Sequence, residues 1–504
     1  PERISYGNFE EGDVYYRLND GDKRDRIVCS AGLSTASAIF RLEPGHETTL
    51  KSSVPLDREL KKNFSKIEPA SRGWQEVLTP IARLKTPDTL INRLYDAAAG
   101  TLILLSAKDV YPGPYNYRRF WFRDACLMIN AMLSLGLVER SRRLIDSFPD
   151  RQSITGFFQS QEGEWDSNGQ VLWLMWRYLE LTGESPPETW LSAALKAAGW
   201  LERKIIKNAK GTRHQGLLPP GFSAEHFGPN DYYYWDDMWA LAGIKAVTKM
   251  FESAGMRDAH EKTSLLAEKI ENSLWISLVQ ATRNTPGKAF PAAPYRRMDA
   301  GAIGSMVADY PLCLLPANNA RIMATCEWLM ANCFYEDGFF QDMVHSGVNC
   351  YLTLTLAQTL LRAGDSRYRK LIRYIAGLAS STGHWPEAVH PFSGGGCMGD
   401  GQHGWAAAEW VMMMRNLFMR EEKNRLIIGS GIFPEWLEEK GEFYFGPAPV
   451  PWGDLKVIIE NKDGGIFVTL SGVLKKKPDI IEVAIPGTEK RIIEETDRRY
   501  RIKK

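Results

Sequence analysis

A mainly α chain built as an (α/α)6 toroid, flanked by β-rich segments, is the fold class that three features of this 504-residue sequence predict. Long stretches of helical periodicity follow one another from about Thr86 to Glu421. They alternate between one-sided and all-round apolar patterns. Short alternating segments broken by turn residues occupy both ends of the chain. The division expected is a β-rich segment at 1–85, read as the end of a β-sandwich, a helical barrel at 86–421 and a small β domain at 422–504.

At the N-terminal end, DVYYRL and SAIFRLEPGHETTL carry the alternation and the Gly, Pro, Asn and Asp punctuation of antiparallel strands. After Thr86 the loops become rich in Gly, Pro and aromatics, and typical helix lengths divide the stretch into about twelve helices. ETWLSAALKAAGWLERKI places Trp190, Leu191, Ala194, Leu195, Ala198, Leu201 and Ile205 on one face. AHEKTSLLAEKIENSL does the same with Leu265, Leu266, Ile270 and Leu274, opposite charged residues. VLWLMWRYL, MWALAGIKAV, NCYLTLTLAQTLL and GWAAAEWVMMM are apolar nearly all round, as helices buried on every side must be; Trp173, Trp176 and the run Met412, Met413, Met414 read as core. Buried and half-exposed helices in alternation describe an inner ring wrapped by an outer one. The strands EFYFG, LKVIIE, GIFVTL and IIEVAI close the chain.

Composition limits the function. The net charge is +1 with no long run of one sign, which argues against nucleic acid or an anionic membrane as partner and suits a neutral ligand. No apolar stretch is long enough to span a bilayer, and no signal-peptide pattern opens the chain. The first residue is Pro1, not Met, which leaves room for a leader or upstream segment. Seven cysteines, an odd set without a CxxC pair, read as buried thiols in a reducing, cytoplasmic compartment. The 16 tryptophans exceed what packing demands, and several sit in loops beside charges.

If the ring is right, the loops entering the inner helices share one mouth. They carry Trp121, Arg123 and Asp124 in FWFRDACLM, then Trp165, Asp166 and Asn168 in EGEWDSNGQ, then Trp235, Asp236 and Asp237 in NDYYYWDDMWALAG. Arg296 and Asp299 follow in YRRMDAG, then Asp342, His345 and Ser346, then Trp385, Glu387, Asp400 and His403 in HWPEAVHPFSGGGCMGDGQHGW. Aromatic faces stack on the C–H surfaces of sugars while carboxylates grip hydroxyls or move protons, so the set reads as a carbohydrate site. The bland readings are helix-dipole partners for Asp236 and Asp237 and a structural ion pair for Arg123 with Asp124. His384, Glu387 and His390 have a metal-like spacing, but Pro386 interrupts any helix that would align them.

The order WFRDA, GEWDSNGQ, GLLPPGFSAEHFG with YYYWDDMWALAG, MDAG, and HWPEAV with GDGQHGW resembles the glucoamylase-like glycoside hydrolases of family 15. It resembles more loosely the trehalases and processing glucosidases that share the toroid. The resemblance runs from about Asp88 to Arg420 and implies an inverting, exo-acting hydrolase of an α-glucosidic or similar linkage, with no cofactor and no metal. It implies that Arg123 and Asp124 bind hydroxyls of the innermost sugar and that Trp121 and Trp165 line its site, with Asp166, Trp235 and Trp385 beside the substrate. Asp236 inherits the general acid, Asp237 a substrate contact and Glu387 the general base. Asp stands here where glucoamylases use Glu, as in trehalases and processing glucosidases.

Chemistry prefers Asp236 with Glu387 over the adjacent pair, because an inverting acid and base face each other across roughly 6.5–9.5 Å. A helix N-terminus should lower the pKa of an acid that catalysis wants raised, so burial and the charge of Asp237 have to win. Rival classes are a sugar epimerase using His345, His384 or His403, a polysaccharide lyase using Tyr and Arg, a glycoside phosphorylase and a non-catalytic sugar-binding protein.

Overall fold

The computed structural model describes residues 1–8, 10–11, 14, 18, 21–22, 24–30, 34–51, 71–79, 81–222, 228–342, 347–462 and 464–503. It divides into two compact units, Pro1–Trp74 and Gln75–Lys504. In the first, β1 (Arg3–Gly7) pairs antiparallel with β2 (Thr35–Ile39), Arg3 opposite Ile39. Apart from Val14 and Leu18, most of DVYYRL lies outside the described residues, as do His345, Ser346 and the SAEHF of GLLPPGFSAEHFG. Helix α1 (Ser71–Leu78) spans the point of division.

The second unit is mainly helical. Its helices are α2 (Thr89–Leu104), α3 (Phe122–Ser134), α4 (Val138–Asp146), α5 (Ser167–Thr182), α6 (Glu188–Lys204), α7 (Tyr234–Ser253) and α8 (Arg257–Ala281). A 3-10 helix, Ala300–Ala308, precedes α9 (Ala320–Asn332), α10 (Cys350–Ala363), α11 (Tyr368–Gly377) and α12 (Gly404–Phe418). α3 packs on α5, α5 on α7, α7 on the 3-10 helix, that helix on α10, α10 on α12, and α12 on α3. Outside them, α4 packs on α3 and α5, α6 on α5 and α7, α8 on α7, α9 on the 3-10 helix, α11 on α10 and α2 on α12.

The inner helices bury nearly every side chain, which is why their sequences are apolar all round. Where α5 meets α7 the backbones nearly touch. A Cβ at Gly169 would lie 2.2 Å from the Trp239 carbonyl oxygen, so only glycine permits this approach. Outer helices are half wet, with small departures from the expected stripes. Leu195 and Leu265 are exposed, because the stripes Ala194–Ala198–Leu201 and Leu266–Ile270–Leu274 take the core face and turn these neighbours about 100° away. Met412, Met413 and Met414 are buried as expected, whereas Trp173 and Trp176 are only half-buried.

Three sheets complete the unit. β3 (Arg83–Lys85) forms the edge of an antiparallel sheet with β11 (Gly441–Val450), β12 (Gly453–Lys462), β13 (Gly465–Leu474) and β16 (Arg499–Ile502). β9 (Met419–Glu422), β10 (Arg425–Ile428), β14 (Ile480–Val483) and β15 (Arg491–Ile493) form another, with β10 parallel to β14. The third, of very short strands, is β4 (Phe334–Tyr335), β5 (Gly338–Gln341), β6 (Gly347–Asn349), β7 (Ala388–Val389) and β8 (Gly396–Met398). It matters most for the site, because Asn349 pairs with Ala388 and so brings the first turn of α10 beside Glu387.

Candidate active site

A pocket enclosing about 370 Å³ opens at the N-terminal ends of α3, α10 and α12, lined among the described residues by Trp121, Arg123, Asp124, Tyr351, Glu387 and Trp405, with Pro112, Tyr117 and His403 at its edge. Trp121 is the residue before the first turn of α3, and Arg123 and Asp124 follow within that turn. Five of the residues expected at the mouth from sequence thus meet in one cavity: Trp121, Arg123, Asp124, Glu387 and His403.

Glu387 is held from two sides. Tyr117 donates its hydroxyl to Oε2 at 2.5 Å, and Tyr351 donates to Oε1 at 3.0 Å. Hydrogen bonds to the charged form favour the carboxylate. Burial pushes the Tyr351 phenol well above its usual range, which keeps its proton available to donate. Trp405 stacks on Tyr351 with ring centroids 4.1 Å apart, and His403 lies over the same ring at 5.4 Å while accepting the Ala406 N–H that starts α12. Behind Trp405, its indole N–H donates to Glu409 at 3.3 Å, and Tyr310 donates to the other oxygen at 3.0 Å. Burial pushes the Glu409 carboxyl up to about 7.

Arg123 carries the pocket inward. Its guanidinium lies 3.4 Å from Glu164 and 3.5 Å from Asp166, all three buried. Asp166 Oδ2 also accepts the Trp235 indole N–H at 2.8 Å and the Gln170 amide at 3.1 Å. Burial raises the Asp166 carboxyl, and Arg123 and Trp235 oppose that rise. A continuous polar path therefore joins the pocket to Trp235, the residue before Asp236. Asp236 and Asp237 are each 1% exposed in the first turn of α7. Asp237 Oδ1 accepts the Leu218 N–H at 2.9 Å, and burial pushes its carboxyl up to about 8.

The remaining expected residues sit elsewhere. Trp165 is packed between Phe157, Trp200 and the Lys204 ammonium, which lies 3.7 Å from its ring centroid, so its faces meet protein. Trp385, expected as a ligand wall, lies among core residues. It is 2% exposed, donates to the Ile375 carbonyl at 2.8 Å and packs on Trp410, because the chain turns inward before Pro386 and puts the large apolar ring in the core. Asp400 accepts three backbone N–H groups of the Tyr115–Tyr117 turn, and Arg296 pairs with Asp299 and donates to Tyr233. His384 contacts Thr101, and His390 accepts two backbone N–H groups of its own turn. Among the described residues no cluster of His, Cys, Asp and Glu is placed to hold a metal ion, and no helix is long and apolar enough to cross a membrane.

Sequence reasoning missed Tyr117, Glu164, Tyr351, Trp405 and Glu409. Tyr117 had a signal, a tyrosine in the Pro-Gly turn just before WFRD. Glu164 had one in the doubled acid of EGEWD. Tyr351 and Glu409 were hidden inside segments that read as wholly apolar helices.

Comparison with solved structures gives the class: the chain has the fold of the glucoamylase-like glycoside hydrolases. It is similar to a family 78 rhamnosidase of Bacillus sp. GL1, with a TM-score of 0.57 and 15% identity over 81% of this chain and 43% of that one. A glucoamylase of Saccharomycopsis fibuligera gives a TM-score of 0.51 at 11% identity, covering 66% of this chain and 96% of the other. A metal-independent alpha-mannosidase of Streptococcus pneumoniae gives 0.50 at 12% identity, over 69% and 98%. At these identities the likeness is one of fold. No protein-family model and no curated protein matches the chain.

Proposed function

We propose that this protein is an exo-acting, inverting glycoside hydrolase of an α-glucosidic or similar linkage, working on an oligosaccharide or glycoside without a cofactor. The observation that carries the reading is Glu387, a carboxylate held by two tyrosine hydroxyls in a pocket beside Trp121, Arg123 and Asp124. A base must be ionised, and two donors keep it so. The scaffold is read as an (α/α)6 toroid at 86–421, supported by the cyclic order of inner-helix packing, with the β domain at 422–504. Fold neighbours that include a rhamnosidase, a mannosidase and a glucoamylase support glycoside cleavage.

In the proposed reaction Arg123 and Asp124 bind sugar hydroxyls while Trp121 and Trp405 face the ring. Asp236 gives its proton to the glycosidic oxygen, and Glu387 takes one from the water that attacks the anomeric carbon from the opposite side. Asp166, which accepts the Trp235 indole N–H, supports the arginine from behind. A second reading exchanges the aspartates: burial pushes the Asp237 carboxyl up to about 8, which favours it as proton donor.

Replacing Glu387 by Gln should lower kcat by about 10²–10⁴ while leaving sugar binding intact. A fully active variant overturns the assignment. Of Asp236→Asn and Asp237→Asn, the variant lacking the true acid should lose most on poor leaving groups and least on activated aryl glycosides. Following the product anomer by NMR tests inversion, and retention of configuration would refute it.

A further inference from the structure

Asp400 was expected at the sugar mouth, yet its carboxylate faces main chain. Oδ1 accepts the Asn116 N–H at 2.8 Å, and Oδ2 accepts those of Tyr117 and Tyr115 at 2.9 and 3.2 Å. The turn is shaped around it: a Cβ on Gly113 would lie 2.1 Å from Oδ2. Two more bonds lace the same segments together, Gly404 N–H to the Pro112 carbonyl at 2.6 Å and the Asn116 amide to the Gly399 carbonyl at 3.5 Å. Asp400 is 6% exposed at the centre of this seam. The last residue of the cradled turn is Tyr117, whose hydroxyl reaches Glu387 Oε2.

We propose that Asp400 is a positioning residue for Glu387: by gathering three N–H groups it fixes the turn that aims the Tyr117 hydroxyl at the carboxylate. Its catalytic consequence rests on the reading of Glu387 as the base, but the coupling itself does not. Asparagine has nearly the shape of aspartate, yet it offers one acceptor oxygen and turns an NH2 toward N–H groups, so the cradle opens. Tyr117 then loses its aim, and Glu387 loses a donor that stabilises its charged form. Its pKa rises.

The test follows Glu387 directly, through the carboxyl signal of 13C-glutamate-labelled protein assigned by its absence in Glu387→Gln. Tyr117→Phe should raise the Glu387 midpoint by about one pH unit, the scale of one hydrogen bond to a charged group. Asp400→Asn should raise it by a similar or smaller amount, and the double variant no further than Tyr117→Phe alone, because both act through one bond. Gly113→Ala presses on the same carboxylate from the other side and should shift the midpoint in the same direction, which covers the case in which Asp400→Asn fails to fold. A midpoint unmoved in a folded Asp400→Asn or Gly113→Ala protein, or shifts that add in the double variant, overturns the inference and leaves Asp400 a stabiliser of loops. Turnover measured alongside separates the two readings. If Glu387→Gln still hydrolyses at the wild-type rate, the function fails while a shifted midpoint keeps the coupling.

Discussion

Asp237→Asn is expected to stabilise the protein as pH rises. The carboxyl is enclosed in the first turn of α7, with Oδ1 accepting the Leu218 N–H and Oδ2 without a hydrogen-bond partner among the described residues. Burial pushes its pKa from 3.8 up to about 8. Because the folded value lies above the unfolded one, the folded protein holds an extra proton between them. The resulting stability is fully present below about pH 4 and is lost as pH rises through about 8. A displacement of about four pH units, at roughly 1.4 kcal/mol each, sets an upper limit of about 6 kcal/mol. Relaxation and water entry around a newly charged group bring the expected effect to about 2–4 kcal/mol. Asparagine copies the protonated acid: its oxygen can keep the Leu218 bond, and it never ionises. For a unit of this size about 1–2 °C of Tm corresponds to each kcal/mol, so the variant's Tm should gain about 2–8 °C on the wild type between pH 5 and pH 9. Buried Glu409 and Asp309, raised to about 7 and about 6, tilt both proteins alike, so the difference curve isolates Asp237. A difference that stays flat across this range would refute the reasoning.

Two further outcomes follow from the packing. Tyr351→Phe removes one of the two donors on Glu387 while keeping the stack on Trp405, so the acid limb of the kcat/KM profile should move up by about one pH unit, and an unmoved limb would count against the clamp. Gly169→Ala places a methyl 2.2 Å from the Trp239 carbonyl oxygen, against backbone that cannot step aside, and should cost at least about 2–3 kcal/mol. The control is Gly100→Ala in α2, which meets nothing within 4 Å and should raise stability by about 0.5–1 kcal/mol; similar Tm values for the two variants would contradict the close approach.

Helix kind was legible because burial on every side removes the polar stripe that a half-wet helix must keep. That contrast separated VLWLMWRYL from ETWLSAALKAAGWLERKI; the first is mostly buried, with Trp173 and Trp176 half-buried, and the second keeps exposed residues such as Leu195. The pocket was legible where chemistry-bearing residues lie in loops or first turns, as with Trp121, Arg123, Asp124 and Glu387. It was not legible where a polar group sits on a buried helix and is satisfied by one distant partner. Tyr351 reaches Glu387 only because two-residue and three-residue strands pair across 39 positions, Asn349 with Ala388. Such strands have no period of their own. Trp385 failed for the opposite reason, since a loop tryptophan beside a functional residue looks the same in sequence whether it faces solvent, ligand or core.

The aspartates of α7 carry a conflict that sequence could state and only geometry could weigh. Both occupy the first turn, where the helix dipole favours a carboxylate by about 0.3–1 kcal/mol, or about 2 in a partly buried setting. The Leu218 N–H on Asp237 adds to the same side. Against these stands the cost of a buried charge, and a carboxyl raised to about 8 means that this cost exceeds the Leu218 bond. Proximity to a helix N-terminus therefore does not make an acidic residue an anion. Glu387 is buried too, but two phenol hydroxyls replace the solvent it has lost. The two buried carboxyls thus differ in what they accept: Asp237 takes one backbone N–H, and Glu387 takes two phenol hydroxyls. In the second reading proposed above, with Asp237 as proton donor, an acid and a base require a difference of this kind.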